Sequence, residues 1–219
     1  MPRRAAFSLL ALVLAAGSSG TPAESAPTGP QARDSGRREV AVFAGGCFWS
    51  VEANFEQMPG VVAAVSGFAG GRVANPTYDQ VVRGGTGHLE AVQVTYDPAR
   101  ITYRQLVDRF WRTIDPTDPD GQFCDQGESY ATAVFASAAQ RPVAEASRRA
   151  AVAQIGAARF VTPVRDAARF WPAEAYHQDF ARLNPVRYAG YSRFCGRGAR
   201  LLAVWGTRFT RSGVLSEAG

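Results

Sequence analysis

Along the chain, short apolar stretches that favour strands alternate with stretches whose apolar residues recur at helical spacing. The strand-like stretches are residues 39–44, 61–68, 88–96 and 130–136. Helical spacing follows the first of them over 47–57 and the third over 102–114, where Thr102 and Gln105 have the spacing of a capping box. Through residue 137 the order is therefore β-α-β-β-α-β. This order is typical of an α+β fold of the ferredoxin-like split-βαβ kind, a two-layer sandwich whose antiparallel sheet carries its helices on one face.

The second part of the chain gives weaker patterns. Residues 115–129 are polar and contain two Pro and two Gly, which predicts a long loop, and the Ala-rich stretch 138–155 predicts a helix. Another strand is compatible with 160–164, and a last helix is predicted over 173–183. From residue 186 onward the pattern predicts a long, loop-rich C-terminal tail.

The N-terminal residues have the layout of a secretory signal peptide. Arg3 and Arg4 precede twelve uncharged, mostly apolar residues and a run of small ones, so we assign 1–20 as the signal peptide. Residues 21–38 are rich in Pro, Gly, Ser and charge and predict a disordered linker, which leaves 39–219 as the folded domain. An uncleaved membrane anchor is the alternative, although the apolar run falls short of the ~20 residues that a spanning helix needs.

The net charge of +5 changes once this leader is set aside. All 24 basic residues are Arg, and five of them lie in 1–38 against Glu24 and Asp34, so the remainder of the chain carries +2. We find no Arg cluster with interleaved aromatic residues, and therefore expect no nucleic-acid partner. The absence of Lys excludes Schiff-base chemistry and a P-loop lysine.

The chain contains three cysteines, Cys47, Cys124 and Cys195, and two histidines. The cysteines are too widely spaced for a structural zinc site of the CxxC type, so we expect no metal. Their odd number leaves at least one thiol unpaired within the chain. Because all three follow the leader, an exported protein would carry them into an oxidising compartment.

Cys47 is the first candidate for chemistry. It follows a strand and the pair Gly45-Gly46, at a predicted helix N-terminus, where unpaired N–H groups and the helix dipole favour a thiolate. Phe48 and Trp49 come next and would form an apolar wall beside the sulfur. The alternative at this stage is a buried, inert cysteine packed among aromatic rings.

Glu90 is the second candidate. Strand alternation points it to the same side as Val92, Val94 and Tyr96, so its carboxyl group should be partly desolvated. Desolvation raises the pKa of a carboxyl group and makes it a proton donor near neutral pH. The alternative is a glutamate at the strand end that reaches solvent.

Other polar groups could line the same site. Asp125 lies in the long loop, and Tyr78 and Tyr130 lie beside turns from which a phenol could present its hydroxyl to a cavity. Glu174 and His177 are spaced i, i+3 on the predicted last helix and could touch as a structural polar pair. Each of these residues could instead serve packing or turn formation.

Five segments of the chain together resemble a known family. They are Gly45-Gly46-Cys47-Phe48-Trp49 with Glu52, Asn75-Pro76-Thr77-Tyr78, Gly87-His88-Leu89-Glu90 with the VQVTYDP that follows, Asp115-Pro116-Thr117 with Asp125-Gln126-Gly127 and Tyr130, and Glu174 with His177-Gln178. Their residues and order are similar to the motifs of the peptide methionine sulfoxide reductase A family. The likeness runs from about residue 39 to about residue 206.

The resemblance implies reduction of methionine S-sulfoxide to methionine, with Cys47 as the nucleophile that becomes a sulfenic acid. It implies that Glu90 gives a proton to the sulfoxide oxygen and that Tyr78 and Tyr130 hydrogen-bond that oxygen. Asp125 would orient the site through hydrogen bonds. The substrate would be methionine sulfoxide in proteins, and use of the free amino acid stays open.

The resemblance also assigns the remaining site residues. Phe48 and Trp49 would hold the methyl group of the substrate in an apolar pocket. Family members often carry resolving cysteines in a glycine-rich tail, where Cys195 is the positional match here. Cys124, directly before Asp125, is the alternative: it could react first, act as a relay, or take no part.

The expected partners follow from this chemistry. They are oxidised methionine residues in exported proteins and a thioredoxin-like dithiol that reduces the disulfide. We expect no cofactor, no stable membrane insertion after signal cleavage, a monomer, and a location in the bacterial periplasm.

Two other classes of protein compete with this hypothesis. A cysteine hydrolase would use Cys47 with His177 as its base, and requires an imidazole hydrogen-bonded to the thiol. A secreted binding module would hold a permanent disulfide and leave Cys47 unreactive.

Overall fold

The computed structural model describes residues 36–209 and 215–217. Its strands are β1 Glu39–Gly45, β2 Val61–Ala69, β3 Leu89–Tyr96, β4 Gly121–Gln122, β5 Asp125–Gln126, β6 Thr132–Ala136, β7 Val164–Asp166, β8 Phe170–Pro172, β9 Thr207–Phe209 and β10 Leu215–Glu217. Its helices are α1 Phe48–Glu56, α2 Tyr78–Val82, α3 Tyr103–Trp111, α4 Arg141–Ile155, α5 Phe180–Leu183, α6 Pro185–Phe194 and α7 Arg197–Trp205, with 3₁₀ turns at Glu128–Tyr130 and Ala175–His177. The predicted signal peptide and nearly all of the predicted linker lie outside the described residues.

A six-stranded mixed sheet in the order β7-β6-β1-β3-β2-β8 forms the centre of the fold. β7 runs parallel to β6, and all the other neighbours are antiparallel. β3 lies between β1 and β2, so the β1-α1-β2 unit is split by a strand from later in the chain. The sheet and its helices confirm the predicted α+β class.

The two faces of the sheet carry different amounts of apolar surface. On one face, residues of α1, α3, α4 and α7 join the strands in the larger core, where the ring of Phe43 lies 4.7 Å from Phe55 and 5.0 Å from Phe110. The other face carries a smaller cluster built around Leu89 and Phe135. Glu90, Val92 and Val94 are each two residues apart on β3 and therefore point to the same face of the sheet. The helices thus cover the face toward which Glu90 points.

The turn from β1 into α1 requires glycine. Gly46 has φ +76°, and a Cβ there would lie 2.4 Å from the Cβ of Gln122. The side chain of Gln122 is fully buried: its Oε1 accepts from Asp115 N–H at 2.8 Å and its Nε2 donates to Asp115 C=O at 2.7 Å. This contact holds the loop that carries Asp125 against the start of α1.

The prediction of a continuous helix over 173–183 is wrong. The chain is extended at Gln178 and left-handed at Asp179, with φ +54°, before the short α5. Gln178 explains the break, because its side-chain amide pairs with the edge of β2: Ser66 N–H donates to Oε1 and Nε2 donates to Ser66 C=O, both at 2.9 Å. A long-range pairing with backbone groups thus overrides the local helical pattern.

The predictions of a loop-rich tail and of a strand over 160–164 are also wrong. The tail forms α6, with Pro185 in its first turn, and α7, which begins after Gly196 at φ +60°. Trp205 of α7 is buried and its Nε1 donates to Ile114 C=O at 2.9 Å. The strand begins only at Val164, where pairing with β6 starts. No helix among the described residues has the length and apolar character needed to cross a membrane.

Candidate active site

Cys47 and Glu90 meet at the start of α1. Cys47 stands at the N-cap position of that helix as a free thiol, 6% exposed. Phe48 N–H, the first amide of the helix, donates to Glu90 Oε2 at 2.9 Å. Glu90 is 1% exposed and does not reach solvent, as its place on the core face of β3 predicts.

Burial decides the charge of Glu90. Desolvation raises the pKa of its carboxyl group to about 8, and the negative charge of Asp125 acts in the same direction, against the opposing hydrogen bond from Phe48 N–H. Glu90 is therefore predominantly protonated at neutral pH. A buried carboxylic acid of this kind can donate a proton to a substrate oxygen.

Burial also decides the charge of Cys47. Desolvation, and then the charge of Glu90, raise the pKa of the thiol to about 12, while a hydrogen bond with the hydroxyl of Tyr191 lowers it in part. The prediction that the helix N-terminus holds Cys47 as a thiolate is wrong for this form of the protein. The reason is the burial of the thiol, whose desolvation outweighs the favourable effect of the helix N-terminus.

Tyr78 and Tyr130 face the same carboxyl group. Their hydroxyls are hydrogen-bonded to each other, and burial and the charge of Glu90 raise the pKa of both phenols. Both phenols are thus neutral at pH 7 and can act as hydrogen-bond donors. Tyr78 is fixed from behind, because its backbone N–H donates to Glu174 Oε1 at 3.0 Å and its ring lies 4.3 Å from that of His177.

Phe48 and Trp49 begin an aromatic cluster beside the thiol. Phe48 is buried, with its ring 5.9 Å from Phe68, and Trp49 stacks on Phe180 at 3.7 Å. The indole Nε1 of Trp49 donates to Nδ1 of His177 at 3.2 Å. The aromatic wall predicted beside Cys47 therefore consists of rings held by contacts with later parts of the chain.

Glu174 and His177 do not form the helical pair that their spacing suggests. Glu174 binds the backbone of Tyr78, whereas His177 accepts from Trp49 and its Nε2 has no hydrogen-bond partner. Burial lowers the pKa of His177, so the imidazole is neutral. Because neither ring nitrogen bonds Cys47, the base that a cysteine hydrolase requires is not provided by His177.

Asp125 connects the site to the C-terminal helices. Its Oδ2 accepts a hydrogen bond from the hydroxyl of Tyr191 in α6, the residue whose hydroxyl also bonds Cys47. Arg197 of α7 is buried beside this pair, with its guanidinium 4.3 Å from the ring of Phe123 and a hydrogen bond to Thr113 C=O at 2.7 Å. Burial raises the pKa of Asp125, against the opposing effects of Tyr191 and Arg197.

Sequence reasoning missed Tyr191 and Arg197 because it assigned them to a loop-rich tail. The signal that could have found them is local. Pro185 is well suited to start a helix, and Tyr188 and Tyr191 are three residues apart, which places them on one side of it.

Cys124 and Cys195 form a disulfide across 71 residues, with their Cα atoms 4.8 Å apart. Cys195 is thus paired with Cys124, and Cys47 is the cysteine left free. Cys124 is exposed and Cys195 half-buried. The bond borders a cleft of about 440 Å³ whose lining includes Phe123 and Arg200.

The arrangement joins a buried thiol, a protonated carboxyl group, two phenols and a disulfide. Comparison with known proteins shows to which family the chain belongs. The sequence model of the family described as peptide methionine sulfoxide reductase matches residues 39–208. The chain belongs to this family. Its members reduce methionine sulfoxide, and the Cys124–Cys195 disulfide fits the cysteine-based chemistry of a reductase.

Curated relatives and solved structures give the same assignment to the reductase family. The chain is similar to peptide methionine sulfoxide reductase MsrA 2 of Caulobacter vibrioides, with 49% identity over 78% of this chain and 87% of the relative. The protein of the same name from Rhizobium meliloti is 50% identical over 78% of this chain and 85% of the relative. Methionine sulfoxide reductase A of Corynebacterium diphtheriae superposes with a TM-score of 0.61 at 32% identity, over 70% of this chain and 78% of that one. The reduced form of Mxr1 from Saccharomyces cerevisiae gives 0.63 at 30% identity, over 70% and 90%.

Proposed function

We propose that this reductase converts methionine S-sulfoxide to methionine at Cys47, with protein-bound methionine sulfoxide as the main substrate. The observation that carries the proposal is the neutral, buried carboxyl group of Glu90 at the start of the helix that bears Cys47. Sulfoxide reduction needs a nucleophile for sulfur and an acid for oxygen on one substrate, and these two residues supply both.

The reaction proceeds by transfer of oxygen to the enzyme. The Cys47 thiolate attacks the sulfoxide sulfur while Glu90 gives its proton to the sulfoxide oxygen. The sulfur–oxygen bond of the substrate then breaks, the hydroxyl group passes to Cys47, and methionine leaves behind a sulfenic acid. Tyr78 and Tyr130, both protonated, hydrogen-bond the oxygen as negative charge develops on it.

The sulfenic acid is resolved by the other two cysteines. The Cys195 thiol condenses with Cys47–SOH to form a disulfide and release water. Cys124 then attacks Cys195, which moves the disulfide to the Cys124–Cys195 position and returns Cys47 as a thiol. The Cys124–Cys195 disulfide together with a free Cys47 is the end state of this order, in which Cys195 resolves and Cys124 acts as the relay, and it would also result if Cys124 attacked first and Cys195 second. Attack by Cys124 on the sulfenic acid is the alternative.

A thioredoxin-like dithiol would complete the cycle. Cys124 is exposed, so the thiolate of an external protein can reach the disulfide, whereas Cys47 is only 6% exposed. The signal-peptide pattern of 1–20 supports export to the periplasm, where the protein would act as a monomer that repairs oxidised exported proteins.

Three Cys→Ser variants test this function. Cys47→Ser should release no methionine from dabsyl-methionine S-sulfoxide, whereas Cys195→Ser should release one methionine per enzyme and then stop with a dithiol reductant. The R-sulfoxide serves as the stereochemical control. Methionine release by Cys47→Ser would disprove the proposed nucleophile, and full turnover by Cys195→Ser would disprove its role as resolving thiol.

Alkylation of Cys47 separates the enzyme from a disulfide-held binding module. In the fully reduced protein, Cys47 should be alkylated by iodoacetamide and protected by the S-sulfoxide substrate. An unreactive Cys47 would favour the module. Export is tested separately, by fractionation of cells that express the full chain and by the mass of the mature N-terminus.

A further inference from the structure

The proposed reaction leaves one proton unaccounted for. Cys47 is a neutral thiol and must lose its proton before it attacks, but Glu90 is itself protonated and has to give its proton to the sulfoxide oxygen. Glu90 therefore cannot accept the proton of the thiol at the same time. Another group must take it, and this question rests on the function proposed above.

The ionisable groups that face Cys47 come from several elements. They are Tyr78 of α2, Glu90 of β3, Asp125 of β5, Tyr191 of α6 and Arg197 of α7. The phenols and the guanidinium are already protonated at neutral pH. Asp125 is the carboxyl group left to accept a proton.

Tyr191 joins Asp125 to the thiol. Its hydroxyl donates to Asp125 Oδ2 and is also hydrogen-bonded to Cys47, so one phenol oxygen bridges the sulfur and the carboxylate. The thiol can donate to that oxygen while the phenol proton points to Asp125. This gives an unbroken chain of two hydrogen bonds from sulfur to carboxylate.

We propose that Tyr191 is a further catalytic residue, which relays the proton of Cys47 to Asp125. The S–H bond breaks and its proton passes to the Tyr191 oxygen, while the former phenol proton passes to Asp125 Oδ2. Tyr191 stays neutral throughout, Asp125 becomes neutral, and Cys47 becomes a thiolate that receives a hydrogen bond from Tyr191. The two carboxyl groups thus have separate roles: Glu90 donates a proton to the sulfoxide oxygen, and Asp125 accepts the proton that leaves the sulfur of Cys47.

The buried guanidinium of Arg197 supports this division. Its positive charge opposes the effect of burial on Asp125 and favours the carboxylate that the relay needs before attack. Glu90 accepts a hydrogen bond from Phe48 N–H, whereas the hydrogen bonds of the Tyr191 hydroxyl go to Asp125 and Cys47. Of these two carboxyl groups, Asp125 is the one linked to Cys47 through the Tyr191 hydroxyl.

The test is the pH dependence of a single turnover in the fully reduced protein. With N-acetyl-methionine S-sulfoxide as the probe, the wild-type rate should be nearly flat from pH 6 to the titration of Glu90 and fall above it. Tyr191→Phe keeps the ring and removes the relay, so its thiol must lose its proton to bulk water. We expect the rate of Tyr191→Phe to be about 100-fold lower than that of the wild type at pH 6. The rate of the variant should increase with pH, so that the difference from the wild type becomes smaller toward pH 8.

Two further variants make the result decisive. Tyr188→Phe is the matched control, because it removes a hydroxyl group from the same helix. That hydroxyl donates to Ser50 Oγ at 3.3 Å, and the variant should have the rate and the pH profile of the wild type. Asp125→Asn removes the final acceptor and should reproduce the rising profile of Tyr191→Phe; it also serves if Tyr191→Phe does not fold.

Two outcomes overturn the relay. A wild-type-like rate and profile in both Tyr191→Phe and Asp125→Asn would show that the thiol loses its proton elsewhere. A rate that is lower by one constant factor at every pH would show that Tyr191 only positions the site. If the wild-type protein itself releases no methionine, the proposed function fails, which is a different result from either of these.

Discussion

Glu90→Gln is the substitution that tests the central electrostatic feature of this protein. Glutamine keeps the shape of the side chain and an oxygen that can accept from Phe48 N–H, but it has no proton to give to the sulfoxide. The change therefore separates the acid function of residue 90 from its packing. Both the reaction rate and the pH dependence of stability should respond.

The expected loss of rate follows from the general scale of acid catalysis. Loss of a positioned proton donor lowers a rate by a factor of about 10² to 10⁴, which is roughly 3 to 5 kcal/mol of transition-state stabilisation. The first single turnover of Glu90→Gln at pH 7 should be slower by that factor. The wild-type rate should fall above pH 8, where Glu90 ionises, and this fall should disappear in the variant.

The effect on stability has a definite sign. The pKa of Glu90 is raised from 4.5 to about 8 on folding, so the folded protein holds a proton that the unfolded chain loses. The free energy of unfolding is therefore highest below pH 4.5, falls between 4.5 and 8, and is constant above that as far as this group is concerned. The full shift corresponds to roughly 5 kcal/mol at 1.36 kcal/mol per pKa unit. Glu90→Gln should approach the wild type in stability at pH 4.5 and exceed it increasingly up to pH 8.

Urea unfolding across this pH range measures the stability difference, and quenched-flow assay of methionine release measures the rate. Glu52→Gln is the matched control: Glu52 is 2% exposed, and burial and the nearby charge of Glu56 raise its pKa to about 7. Glu52→Gln should change the pH dependence of the free energy of unfolding but leave the single-turnover rate unchanged. A Glu90→Gln rate within a few-fold of wild type, or a stability difference that does not vary with pH, would refute the reasoning.

Two other substitutions give direct tests. Replacing both Tyr78 and Tyr130 by Phe should lower the single-turnover rate by a factor of about 10² or more, because the sulfoxide oxygen loses the phenols that donate to it as charge develops. A rate equal to that of the wild type in the quenched-flow assay would contradict this role. Gly46→Ala places a methyl group 2.4 Å from the Cβ of Gln122 at a positive φ. It should lower the free energy of unfolding by more than ~1 kcal/mol, measured by urea unfolding, and an unchanged midpoint would show that the turn can relax.

Local sequence features were enough to predict much of the site. Strand alternation predicted that Glu90 points into the core, and a buried carboxyl group is indeed found there. The glycine pair before Cys47 predicted a turn into a helix, and α1 starts at the next residue. These predictions succeed because each depends on the geometry of a few consecutive residues.

Contacts between distant segments decided the rest. Gln178 breaks the predicted helix by pairing with β2, and α6 and α7 form where the sequence suggested a loop. The break at Gln178 depends on a contact with Ser66 that the local pattern does not contain, and α7 is held by the contact of Trp205 with Ile114, which is equally distant along the chain. This is also why Tyr191, far from Cys47 along the chain, was not foreseen as its partner.

The sequence by itself determined the α+β order of elements and was enough to select Cys47 and Glu90 as the candidate nucleophile and acid. The tertiary structure decided that Cys124 pairs with Cys195 and that the Cys47 thiol is neutral rather than ionised. The physical reason is that periodicity and short motifs are set by neighbouring residues, whereas a pKa and a disulfide depend on what lies around a group in space. The burial of Cys47 raises its pKa by more than the helix N-terminus lowers it. How deeply a residue is buried cannot be read from the pattern of residues along the chain.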